Sequence, residues 1–106
     1  MITPEQSEAL NELRLSAILT DKDWEEFRNR FEKVHGGFLQ RLRLKLPDLS
    51  PAEIRFMALA KLQLNNKEMG SILGISPDSI RTIRYRLRKK LQLEEEGSME
   101  ELIGSI

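Results

Sequence analysis

The stretch NNKEMGSILGISPDSIRTIRYRLRKKL, Asn65 to Leu91, decides how this chain reads. It predicts two short helices joined by a tight turn at Gly74, the second helix studded with basic residues. Ile80, Ile83, Leu87 and Leu91 recur at intervals of three, four and four, which places them on one helical face. Arg81, Thr82, Arg84, Tyr85, Arg86, Arg88 and Lys89 then fall on the other faces. Gly74 can take the positive φ that a three- or four-residue turn between helices needs. Gly70, without a side chain, lets the second helix come close. An apolar back and a front of arginines suit a helix to the major groove of DNA.

Working outward, one helix-start signal occurs three times. Leu49-Ser50-Pro51-Ala52-Glu53-Ile54 supplies a capping Ser, a Pro at the first helical position and a Glu at the third to close a capping box. Leu64-Asn65-Asn66-Lys67-Glu68-Met69 repeats it with Asn65 and Glu68. Ile75-Ser76-Pro77-Asp78-Ser79-Ile80 repeats it with Ser76 as cap, but with Ser79 where the acid would stand. Helices over 51–62, 66–73 and 77–92 follow, a compact tri-helical unit.

Upstream, Trp24, Phe27, Phe31 and Val34 repeat at three, four and three, and the stripe continues through Phe38, Leu42 and Leu46. Gly36-Gly37 interrupts it, so helices over 21–35 and 37–46 are expected, starting at Thr20 or Asp21 and closed by Pro47. Such spacing marks core aromatics rather than a base-stacking platform. His35 reads as a partly exposed helix-end residue. A further helix is expected from Pro4 to Leu19, capped by Thr3. Its seam of Leu10, Leu13 and Ala17 suits either docking on the body or pairing with a second copy.

The composition excludes several function classes. With 106 residues, no Cys and one His, the chain has no disulfide, no zinc set and no cysteine nucleophile. It has no phosphate-cradling Gly loop either, and no enzymatic function or cofactor is expected. No run suits a bilayer span or a signal peptide, so a cytoplasmic location without membrane contact is expected. The net charge of zero hides an asymmetry. Residues 1–26 hold two basic residues against seven acids, a balance of −5. Residues 27–93 hold fifteen against five, a balance of +10, and residues 94–106 hold five acids alone, a balance of −5. The basic middle is the candidate nucleic-acid footprint.

Leu49 to Leu93 resembles the DNA-binding domain of the LuxR family of transcription regulators. The residues that carry the likeness are Leu49-Ser50-Pro51, Glu53, Leu59, Leu64, Asn66-Lys67-Glu68, Leu73, Ile75-Ser76, Ser79-Ile80, Arg84 and Lys90-Leu91. Trp24, Phe27, Phe31, His35, Phe38 and Pro47 look like a variant in which extra helices precede this domain at the C-terminal end of larger sensor-type regulators. The resemblance implies an all-α fold: a tri- or tetra-helical helix-turn-helix domain over 48–106 with a short C-terminal helix. An N-terminal helical extension for packing or dimerisation would occupy 1–47. Gln63 and Gln92 stand where many members carry Gly, Gly70 where many carry Ala, and Ile83 where His is common. The helix ending at Gln63 is therefore expected to close differently. The last helix looks shortened, with Ser98 as its cap and Leu102 and Ile103 packing back.

Carried over residue by residue, the resemblance assigns base reading to Arg81, Thr82 and Tyr85, and the helical wheel agrees. Lys67, Ser76, Ser79, Arg84, Arg88 and Lys89 are the candidates for phosphate contact. For Arg88-Lys89-Lys90 a solvated helix end favoured by the dipole is the competing reading. The expected partner is double-stranded DNA, with a homodimer, an upstream sensor domain or a partner protein left open. Two alternatives remain: region 4 of a bacterial sigma factor, docked on RNA polymerase, and a helical protein–protein interaction module.

Overall fold

Thr20 opens the first long helix by local chemistry alone. Its hydroxyl accepts the Asp23 N–H at 3.1 Å while the Asp23 carboxylate accepts the Thr20 N–H at 3.1 Å, a closed capping box. In the computed structural model, which describes residues 3–6, 17–93 and 97–106, helix α1 runs Asp21–Val34 from this cap. Helix α2, Phe38–Lys45, resumes after Gly37, at φ 80°, where the Gly36-Gly37 break was expected. Then come α3, Pro51–Lys61, α4, Asn66–Leu73, and α5, Pro77–Lys90. The last is α6, Gly97–Gly104. Both capping boxes expected at Ser50/Glu53 and Asn65/Glu68 are present, and Ser76 caps α5 through the Ser79 N–H at 3.1 Å. The fold is all-α: among the described residues the regular elements are helices, without a strand.

The aromatic stripe forms a ladder through the core. Ring centroids lie 5.7 Å apart for Trp24–Phe27, 6.0 Å for Phe27–Phe31 and 5.7 Å for Phe31–Phe38. Phe27, Phe31 and Phe38 are fully buried, as are Phe56, Met57 and Leu59 of α3 and Ile80 and Leu87 of α5. These residues belong to one buried cluster, so the boundary expected at 47/48 runs through a shared core. His35 ends α1 half-buried, its N–H on Phe31 O at 2.8 Å, as expected of a helix-end residue. Among the described residues no helix is long and apolar enough to cross a membrane.

Three expectations are corrected. The helix foreseen from Pro4 to Leu19 does not reach its end: residues 17–19 are not helical. Ile18 instead is buried, and its N–H bonds Ile72 O of α4 at 2.7 Å, satisfying a carbonyl that the end of α4 leaves free. Thr3 does cap a helical turn at residues 4–6, while Leu10 and Leu13 of the seam lie outside the described residues. Second, Gln63 closes α3 left-handedly at φ 60°, as a Gly would, and Gln92 does the same after α5 at φ 58°. Behind Gln92 the bonds Gln92 N–H to Lys89 O and Leu93 N–H to Arg88 O complete a Schellman turn. Third, α6 begins at Gly97, ahead of the Ser98 expected to cap it, and buries Met99 and Ile103 while Leu102 stays half-exposed.

Candidate nucleic-acid interface

The helix pair α4–α5 turns on Gly70 and Gly74. Gly74 sits at φ 71°, left-handed, and ends α4. The Ile75 N–H bonds back to Gly70 O at 2.9 Å, and a Cβ placed on Gly70 would stand 2.5 Å from Ile75 O. A methyl there would push the turn open, so the absence of a side chain sets how closely α5 follows α4.

Ile80 and Leu87 fix α5 on the core with Ile83 partly buried beside them, so Arg81, Thr82, Tyr85, Arg86 and Lys89 face outward and are exposed. All three expected base readers therefore share the open side. Arg81 Nη1 bonds Asp78 Oδ1 at 2.9 Å, and the Thr82 hydroxyl donates to Asp78 O at 3.2 Å. Tyr85 is 53% exposed, with Lys89 Nζ 5.4 Å from its ring centroid, a cation–π contact that sets the charge over the phenol. Together with Arg88, Gln92 and Leu93 they line an open groove of about 480 Å³. Arg88 is half-buried there, its Nε covered by protein and without an acceptor.

The expected phosphate contacts divide. Lys67, Ser79 and Lys89 are exposed. Ser76 is exposed too, but its hydroxyl is occupied as the α5 cap and lies 3.0 Å from Ser79 Oγ. Arg84 is turned inward. Its Nε donates to Asn66 Oδ1 at 2.8 Å, Nη2 to the Met69 sulfur at 3.2 Å, and Nη1 approaches Glu100 Oε1 at 3.5 Å. Its guanidinium stacks 5.5 Å from the Phe56 ring centroid, and the side chain is 15% exposed. Its fork is spent on the protein, so Arg84 stands apart from the exposed candidates for phosphate contact. The signal for this was present: Ile80, Arg84 and Leu87 follow at four and three, so Arg84 shares the inner side.

Lys90 likewise joins the fold. Its Nζ bonds Glu53 Oε1 at 2.7 Å and Asp48 O at 2.9 Å, tying the end of α5 to the start of α3. Burial alone would raise the Glu53 pKa, but the bonds from Lys90 and from Ser50 outweigh it and hold the carboxyl below its ordinary value. No sequence spacing marks a pair this far apart. Along α6 Met99 and Ile103 are buried and Leu102 is half-exposed. Among the described residues no group of three or more His, Cys, Asp and Glu is placed to hold a metal ion.

Comparison with family models, curated proteins and solved structures gives no match for this chain.

Proposed function

We propose that this chain binds double-stranded DNA in a sequence-dependent way and acts in transcription regulation, with α5 as the reading helix. The observation that carries this is the outward face of α5. Arg81, Thr82 and Tyr85 lie exposed at spacings of one, three and four on a helix that Ile80 and Leu87 hold to the core. Set into the major groove by its N-terminal half, such a helix brings those side chains to base edges. An Arg fork pairs with guanine O6 and N7, and a Thr methyl with the thymine methyl. Lys67, Ser79, Arg88 and Lys89 then serve the phosphates, fixing register without reading sequence, while the Ser76 hydroxyl stays with the α5 cap. The net +10 of residues 27–93 supplies the long-range attraction.

The test is fluorescence anisotropy of labelled duplexes over a series of salt concentrations. Binding should weaken steeply, with log K falling linearly in log salt, as counterions are released from each contacted phosphate. No detectable binding at low ionic strength, or binding indifferent to salt, would exclude the proposal.

A further inference from the structure

Asp78, at the second position of α5, holds both neighbours that the proposed function sets against base edges. Its carboxylate accepts Arg81 Nη1 at 2.9 Å, and its backbone carbonyl accepts the Thr82 hydroxyl at 3.2 Å. It is the only acid within α5, and its side chain is 87% exposed. An ion pair this open contributes little to folding, so its effect falls on the presentation of the two partners. An Arg fork already aimed by a carboxylate loses less side-chain freedom when it meets a planar base edge. With its hydroxyl bonded to its own helix, Thr82 has its methyl left for apolar contact.

The charge has a second consequence. On a duplex that offers Arg81 no matching base, the guanidinium is drawn to phosphate and releases Asp78. A bare carboxylate then faces the polyanion, which penalises the unmatched complex. We propose that Asp78 sets the selectivity of the α5 surface, orienting Arg81 and Thr82 and weakening attachment to unmatched DNA. This rests on the DNA-binding reading above.

The experiment uses the full chain as parent, Asp78→Ala, Arg81→Ala and the double variant. Each is put through selection from a random duplex pool and titrated on a scrambled duplex at one salt concentration. Asp78→Ala should bind the scrambled duplex several-fold more tightly and select a motif relaxed at one or two base pairs. In the Arg81→Ala background the same change should relax the Arg81 position no further. Asp78→Asn, which removes the charge but keeps an acceptor, should also gain on scrambled DNA and stands in if the Ala variant does not fold. A parent that binds no duplex overturns the DNA reading and this inference with it. A parent that binds, beside a folded Asp78 variant with the same motif and the same affinity ratio, overturns this inference alone.

Discussion

Arg84 of α5 donates its Nε proton to Oδ1 of Asn66 in α4 at 2.8 Å, across the two helices that meet at Gly74. The same guanidinium covers Phe56 of α3 and approaches Glu100 of α6, so one side chain of α5 touches three other elements of the fold. Hydrogen bonds from a charged donor in a partly enclosed site contribute about 1.5–3 kcal/mol. Arg84→Ala should therefore destabilise the protein by about 2 kcal/mol in urea denaturation, packing loss included. A double-mutant cycle with Asn66→Ala should return a coupling of about 1 kcal/mol. Additive losses would mean that the two side chains do not act together.

Gly70→Ala tests the turn. The added methyl meets a backbone carbonyl, Ile75 O, at 2.5 Å, which cannot swing aside as a side-chain tip can. Overpacking should outweigh the better helix propensity of Ala and cost about 1–3 kcal/mol. A neutral or stabilising result would show that the α4–α5 turn is looser than described.

The two left-handed glutamines invite the opposite change. A left-handed backbone costs an L-residue about 1–2 kcal/mol, whereas Gly loses about 0.5–1 kcal/mol of additional chain entropy. Gln63→Gly and Gln92→Gly, at φ 60° and 58°, should each stabilise by up to about 1 kcal/mol. Thermal denaturation reads this directly, and a lower Tm in both would contradict the assigned helix ends.

How far the sequence revealed these features depended on whether their causes are local. The capping boxes at Ser50 and Asn65 were legible because each closes within four residues, and the aromatic stripe because helical spacing encodes a buried face. The exit of residues 17–19 from helix was not, because a backbone bond from Ile18 to Ile72, far along the chain, decides it. Lys90 was hidden in the same way by Glu53. The outward set Arg81, Thr82 and Tyr85 was legible from the wheel. Arg84 shares the inner side by position, although its charge groups it with the outward arginines.

His35 makes stability depend on pH. Its ring is half-buried beside Phe31, and burial, then the charge of Lys61, holds its pKa below the ordinary 6.5. Above that value the ring is neutral both folded and unfolded, and its contribution is intact. As pH falls below it, the unfolded chain takes up a proton before the folded one, and stability declines until the folded ring also titrates. Denaturation at about pH 7.5 and about pH 5.5 should show the loss, and His35→Gln should reduce it. An undiminished difference in the variant would assign the pH effect to other groups.

Sequence reading by α5 is tested most directly by binding-site selection on the parent, Arg81→Ala and Lys89→Ala in parallel. The parent should enrich one motif. Arg81→Ala should relax one or two base pairs of it and cost about 1–3 kcal/mol on the preferred site, while Lys89→Ala keeps the motif and weakens every sequence alike. No enriched motif with the parent, or a motif that Lys89→Ala alters and Arg81→Ala leaves intact, would contradict the account.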